Sequence, residues 1–152
     1  MQNLVSLKEV ADTLELLGQL SEAFIVRETG ELLVVDEGDQ FALRMEDPED
    51  IPEWQREHIA KLRQFLDTDQ MLRLPTSYDI HMWSIMERFC QIVTEPHARE
   101  QLVDAIHGKG AFRMFHATCE RFHLDKEWYA YRRSAIEDIA REWLASNEIP
   151  YE

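Results

Sequence analysis

Apolar side chains recur every three or four residues through most of the chain from Pro52 onward, and charged residues interrupt each apolar run. This spacing is typical of helices that bury one face. The chain contains 5 Gly and 5 Pro among 152 residues, so few positions break such helices. The pattern therefore predicts a predominantly helical α+β fold with about six helices.

The β structure is predicted near the amino terminus. Residues 23–27 and 32–35 are rich in β-branched and other apolar side chains, and Gly30 lies in the turn between them, where a positive φ is permitted. These features predict a β-hairpin. The short extended segment 71–75 predicts a third antiparallel strand, which Pro75 confines to an edge or an end of the sheet.

Capping signals predict where several helices begin and end. Ser6 and Glu9 form the pattern of a capping box, which predicts a helix reaching about to Leu20. Asp79 is expected to cap a helix in the middle of the chain. Gly108 is expected to be the left-handed residue that ends a later helix.

A helix beginning near Pro52 is predicted to bury Trp54, Ile59 and Leu62 on one face. His58 falls among these apolar residues. A histidine at the edge of a core is usually held by one hydrogen bond, so a structural role is favoured over a titrating one.

The chain is strongly acidic, with 30 Asp and Glu against 16 Lys and Arg and a formal net charge of −14. Between residues 28 and 57 there are 11 acidic side chains and only two basic ones, Arg44 and Arg56. We expect a single domain, 1–152, in which residues 36–52 form a solvated surface connection.

The acidic run favours a non-enzymatic interaction or regulatory protein that binds a basic protein surface, because complementary charges accelerate association. The candidate interaction residues are Asp47, Glu49, Asp50, Glu53 and Glu57. Mimicry of DNA phosphates is a sharper form of this hypothesis. A net negative field repels nucleic acid overall.

The sequence also predicts location. Cys90 and Cys119 are the only thiols, the residues from Met1 to Ser6 lack the pattern of a signal peptide, and no apolar run approaches the ~20 residues of a spanning helix. We therefore expect a cytoplasmic protein without membrane association. No cofactor motif is evident.

Residues 107–133 reverse the charge, with six basic and three acidic side chains. The segment Gly108–Gly110 lies at the start of a predicted helix, whose free amides attract anions. The candidate anion-binding residues are Lys109, Gly110, Arg113 and Arg132. The alternative function is therefore a phosphate-, nucleotide- or RNA-binding protein, although the order of residues is not that of a P-loop. A tight turn between helices is the favoured explanation of the glycines, because glycine is common at helix ends.

Four residues that zinc could use lie at offsets 0, 3, 4 and 7, namely His116, Cys119, Glu120 and His123. One helix seldom supplies a closed tetrahedral site, so a buried Cys119 with boundary histidines is favoured over metal binding. A metal-dependent enzyme is the third hypothesis. No nucleophile motif indicates an enzyme class.

Three strings carry a family resemblance: Gly-Lys-Gly-Ala-Phe-Arg in residues 108–113, Trp-Tyr-Ala-Tyr-Arg in 128–132 and Ala-Arg-Glu-Trp-Leu in 140–144. Together they resemble the carboxyl-terminal signature of a bacterial uncharacterised protein family. The hairpin at 27–31 resembles the amino-terminal part of that family. The resemblance implies a fold and supplies no activity, because the family has no agreed function.

Overall fold

A computed structural model describes residues 4–17 and 21–152. The helices are α1 (Leu7–Leu16), α2 (Glu37–Leu43), α3 (Glu53–Phe65), α4 (Ser77–Ile80), α5 (Met82–Ile92), α6 (Pro96–Ile106), α7 (Ala111–Arg121) and α8 (Asp125–Ser146). The strands are β1 (Glu22–Val26), β2 (Leu32–Val35) and β3 (Met71–Arg73). The predicted helical α+β class is confirmed, with seven helices of at least seven residues in this part of the chain and α4 as a single turn.

The chain forms two compact units, which are described separately. One comprises residues 80–139, and the other comprises the described residues up to 79 together with 140–152. The single-domain organisation stays a prediction. Among the described residues no helix combines the length and the apolar character needed to cross a membrane.

The three strands form one antiparallel sheet in the order β2-β1-β3. Phe24 of β1 pairs with Leu33 on one side and with Arg73 on the other. Gly30 closes the hairpin with a φ of 75°. The hairpin and its third strand are therefore confirmed, and β3 lies at an edge, where the following Pro75 costs no ladder hydrogen bond.

The sheet packs with α2 and α3 around a compact apolar cluster. Its buried members are Val26, Leu33, Val35, Ala42, Ile51, Ile59 and Leu62. Each fully buried aliphatic side chain of this kind contributes roughly 1.5–3 kcal/mol. The cluster fixes α3 against the sheet, so the opposite face of α3 is left for solvent.

The acidic segment from 36 to 52 differs from its prediction as a surface connection, because it contains α2. Asp36 and Asp39 form a capping box: the Asp36 carboxylate accepts from the Asp39 amide at 2.7 Å, and Asp39 accepts from the Asp36 amide at 3.1 Å. Acidic side chains at a helix start satisfy free amides and complement the helix dipole. Part of the charge run therefore serves to begin a helix.

The two ends of the described chain pair with each other. Val5 forms a parallel bridge with Tyr151, and the Leu7 amide donates to the Glu152 carbonyl at 3.1 Å. The predicted cap of α1 is confirmed, since the Ser6 hydroxyl accepts from the Glu9 amide at 3.2 Å. The predicted extension of α1 to residue 20 lies outside the described residues.

The middle of the chain has a different cap from the predicted one. The carboxylate of Asp79 accepts from the Thr76 amide at 2.9 Å, and the Thr76 hydroxyl accepts from the Asp79 amide at 3.3 Å. This reciprocal pair begins the single turn α4. The longer helix α5 starts after His81, which has a φ of 52°, so Asp79 lies at the third position of α4 instead of capping α5.

The unit formed by residues 80–139 has an aromatic core. The Trp128 side chain is buried, and its ring centroid lies 4.7 Å from that of Phe115 and 5.4 Å from that of Phe89. These edge-to-face contacts place helices α5, α7 and α8 around one centre.

The turn between α6 and α7 uses its glycines differently from the prediction. Gly110, with a φ of 66°, is the left-handed residue, and it lies at the start of α7. Gly108 has no positive φ, so its predicted role as the left-handed end of α6 is wrong. The helix ends instead at His107, whose backbone stays right-handed.

We expect Gly110→Ala to lower the free energy of unfolding by about 1 kcal/mol, because a left-handed backbone is strained by a Cβ. A Cβ at Gly110 would meet no atom within 4 Å, so no steric clash adds to this cost. Urea unfolding measures the change.

The matched control is Gly108→Ala, whose Cβ would lie 3.8 Å from the Asp104 carbonyl oxygen, an ordinary contact. We expect it to change stability by less than about 0.5 kcal/mol. Equal losses for the two variants would contradict the assignment of the left-handed position.

Candidate functional site

A surface cavity of about 340 Å³ lies between β2 and the outward face of α3. Its lining residues are Glu31, Leu32, Leu33, Trp54, Glu57, His58 and Lys61. The four residues from α3 occur at intervals of three and four, so they share one face of the helix. The cavity therefore combines an indole, two carboxylates, an ammonium and an imidazole on a rigid support.

Trp54 is exposed on α3, so the prediction that it belongs to the core is wrong. Its side chain is 81% exposed, whereas Gln55 is only 6% exposed. The spacing explains the correction: Gln55 precedes Ile59 by four residues and Leu62 by seven, which is the period of a buried stripe. Trp54 is one position out of that stripe.

The buried Gln55 supports the carboxylate of Asp39, which is only 7% exposed. The Gln55 side-chain amide donates to Asp39 Oδ1 at 2.8 Å, and the Asp36 amide donates to Asp39 Oδ2. Burial alone would raise the pKa of Asp39. The hydrogen bonds from Gln55 and Asp36 and the charge of His58 together hold the pKa of this carboxyl below its usual 3.8.

His58 connects this network to the cavity. Its Nε2 lies 2.9 Å from the Val34 carbonyl oxygen and 3.4 Å from Asp39 Oδ2. Because a carbonyl can only accept, Nε2 carries the proton. The predicted hydrogen bond of His58 is confirmed, and the two acceptors fix the plane of its ring at the cavity wall.

The one ammonium of the cavity is held by a carboxylate. Lys61 Nζ donates to Glu31 Oε1 at 2.6 Å. The hydrogen bond and the charge of Glu31 raise the pKa of Lys61, and the charge of Glu57 adds to this effect. Glu57 itself accepts no hydrogen bond within the described part of the chain.

The predicted interaction residues all lie on the surface. Asp47 accepts from the Glu49 amide at 2.9 Å, which caps the short turn Pro48–Asp50. The side chains of Glu49, Asp50 and Glu53 form no hydrogen bond or ion pair among residues 4–17 and 21–152. Four carboxylates, with Glu57 as the fourth, thus face solvent between residues 49 and 57.

The predicted anion-binding residues occupy two places in their unit. Lys109 and Arg113 are exposed beside Gly110, and α7 begins there without a side-chain cap. The guanidinium of Arg132 lies in the middle of α8, 5.3 Å from the centre of the Tyr129 ring. Their convergence on one anion stays a prediction.

Of the predicted metal ligands, His116 is engaged in other contacts, Cys119 is buried and His123 is exposed. His116 Nδ1 donates to the Phe112 carbonyl at 2.7 Å, and the Trp128 indole lies 3.4 Å from His116 Nε2. Burial raises the pKa of the Cys119 thiol to about 12, while His123 is exposed with a φ of 57°. No group of three or more His, Cys, Asp and Glu residues that could hold a metal occurs within the described ranges.

Comparison with known proteins identifies a family that is described only as uncharacterised. A family described as Uncharacterised protein family (UPF0158) matches residues 35–152. The chain is 33% identical over 66 residues to UPF0158 protein PA5073 of Pseudomonas aeruginosa, which is 43% of each chain. The chain therefore spans less than half the length of this curated relative. No solved structure matches the chain.

We expect Asp39→Asn to lower the free energy of unfolding at pH 7 by about 1–3 kcal/mol, because it removes a buried charged acceptor from a hydrogen-bonded network. The folded pKa of Asp39 lies below its usual 3.8, so its contribution is present above that pH and is lost as the pH falls through the lower folded value. The difference from the wild type should stay unchanged from pH 7 to about pH 5 and should narrow as the pH falls below the usual pKa of 3.8.

Urea unfolding at several pH values measures this difference. Asp50→Asn is the matched control, since this exposed side chain has no described partner, and we expect it to change stability by less than about 0.5 kcal/mol. A difference for Asp39→Asn that stays constant with pH would contradict the assignment.

We expect both thiols to resist alkylation by iodoacetamide at pH 8 in the folded protein. Burial raises the pKa of Cys90 to about 11 and that of Cys119 to about 12, and thiolates are the reactive form. Intact-mass spectrometry follows the reaction, with protein in urea as the control. Rapid modification of Cys119 in the folded protein would show an accessible thiolate and would support its role as a metal ligand.

Proposed function

The chain belongs to the Uncharacterised protein family (UPF0158), and from the geometry of its acidic surface we propose that it binds a basic protein partner without catalysing a reaction. The acidic surface comprises Glu49, Asp50, Glu53 and Glu57. The observation that carries the proposal is that all four side chains are exposed and form no hydrogen bond or ion pair within the described chain.

Charges left in this arrangement repel one another in the free protein. A short turn and the first two turns of α3 hold them within nine residues, and α3 is fixed to the sheet by the apolar cluster. A basic partner relieves the repulsion and is attracted before contact. Because the groups are exposed, the attraction is screened beyond about 8 Å at physiological salt.

The same features favour binding over catalysis. The carboxylates of Glu49, Asp50 and Glu53 lie outside the cavity, and the one buried acid near it, Asp39, is committed to Gln55, Asp36 and His58. These contacts keep Asp39 ionised and support the fold around α3. A general acid requires a raised pKa, whereas the pKa of Asp39 is lowered.

We expect affinity capture from a bacterial lysate at low salt to retain a specific basic protein. The purified partner should bind at least about ten-fold more weakly at 300 mM than at 50 mM salt, because exposed charges are screened. The variant Glu49→Gln, Asp50→Asn, Glu53→Gln, Glu57→Gln should show a similar loss at 50 mM salt. Isothermal titration calorimetry measures both.

The matched control removes four exposed acidic charges elsewhere, in Glu100→Gln, Asp104→Asn, Glu120→Gln, Glu142→Gln. It should retain most of the affinity. Equal losses of affinity in the two quadruple variants would show that binding depends on net charge alone and would contradict an acidic binding surface. So would the absence of any specific basic partner.

The alternative of a phosphate- or RNA-binding protein stays a prediction centred on Lys109, Gly110 and Arg113. The exposed cations and the uncapped start of α7 support it. Its test is thermal stabilisation by phosphate or RNA, which Lys109→Ala with Arg113→Ala should abolish. The metal-dependent enzyme also stays a prediction, and elemental analysis of the purified protein tests it.

A further inference from the structure

We propose that the cavity beside α3 receives an arginine side chain of the basic partner, with the guanidinium against the Trp54 indole and the Glu57 carboxylate. This inference rests on the proposed function. It adds the residue type that the surface selects, which net charge alone does not determine.

The first step is the exposure of Trp54. Of the chain's tryptophans, Trp128 is buried and Trp83 and Trp143 are half-buried, whereas Trp54 is 81% exposed. An indole carries one of the largest apolar surfaces of any side chain, and exposed tryptophan is enriched at the energetic centres of protein interfaces. The position of Trp54 at a cavity rim provides a flat face for a ligand.

The second step is the position of Glu57. It follows Trp54 by three residues on the same face of α3, so their Cβ atoms are about 5–6 Å apart. Both side chains line the cavity. A guanidinium can therefore stack its flat face on the indole while the N–H groups at its edge donate to the carboxylate.

The third step is the charge of the cavity. Lys61 is hydrogen-bonded to Glu31, and Glu57 accepts no hydrogen bond within the described residues. The two carboxylates and the one ammonium of the lining leave one negative charge. One monocationic guest neutralises it.

The fourth step is the shape of the guest. The half-buried Leu32 supplies apolar surface to the cavity, which suits the methylene stem of a long side chain. The imidazole of His58 is held by the Val34 carbonyl and the Asp39 carboxylate, so the side of the cavity that His58 forms is fixed before a ligand binds. Arginine fits better than lysine, because a planar, weakly hydrated guanidinium stacks on an indole and binds a carboxylate through two N–H groups.

The probes are a hexa-arginine and a hexa-lysine peptide, whose charges are equal. We expect the wild-type protein to bind hexa-arginine about five-fold more tightly at 50 mM salt, which corresponds to the stacking contribution at an exposed site. Trp54→Ala should lose most of this preference, because the stacking contact is removed. Phe41→Ala, an exposed aromatic residue outside the cavity, should keep the preference.

The carboxylates provide a second comparison. Glu57→Gln should reduce the preference for arginine. Glu53 lies outside the cavity, so Glu53→Gln should weaken the binding of both peptides by the same factor. In NMR spectra, the indole N–H resonance of Trp54 should shift when hexa-arginine is added. Circular dichroism verifies that each variant is folded.

The outcomes separate the two proposals. Equal binding of both peptides by the wild type, or an arginine preference that Trp54→Ala leaves undiminished, would overturn the arginine site and leave the acidic surface standing. If neither peptide binds at low salt, both proposals fail. Loss of the preference in Trp54→Ala but not in Phe41→Ala supports the site.

Discussion

One buried carboxylate connects the elements around the candidate site. Asp39 begins α2 through its capping box, receives the side-chain amide of Gln55 from α3 and lies beside His58, which in turn donates to β2. Isolated burial of an ion is costly, so the arrangement is stable only because several donors converge on one group. The position of α3 depends on that convergence.

The orientation of α3 decides which side chains are available to a partner. With Ile59 and Leu62 in the apolar cluster and Gln55 hydrogen-bonded to Asp39, the face of α3 that carries Trp54 and Glu57 is left for solvent. Trp54 and Glu57 are exposed for this reason. The acidic run thus has two roles, since some of its carboxylates begin helices and others remain on the surface.

Local signals in the sequence predicted the local parts of the structure. Gly30 and its β-branched flanks define the hairpin, and Pro75 defines an edge strand, because these residues act through their own backbone. The partner of Asp39 lies 16 residues away, and charge composition alone gives no sign of that hydrogen bond. Charge composition therefore did not predict α2 or the buried Asp39 within residues 36–52, and the large apolar Trp54 was wrongly predicted to be core. The sequence does contain the spacing of the buried stripe, because Gln55 precedes Ile59 by four residues and Leu62 by seven.

The candidate sites show the same limit. The exposure of Glu49, Asp50 and Glu53 follows from their chemistry, so their surface positions were predictable. The cavity was not, because it requires β2 and α3 to lie side by side. Gly110 was identified as a turn residue, but which of the two nearby glycines is left-handed depends on how α6 ends.

The pairing of Val5 with Tyr151 has a consequence for synthesis. These contacts join segments separated by almost the whole chain, and no local structure can substitute for them. On a ribosome the amino-terminal segment must wait until residues 150–152 have emerged before its last backbone partners exist. Residues 80–139 emerge in between, and their helices form from contacts close in sequence, which fold quickly. Nascent chains are therefore expected to acquire the helical unit before the sheet-containing unit is complete.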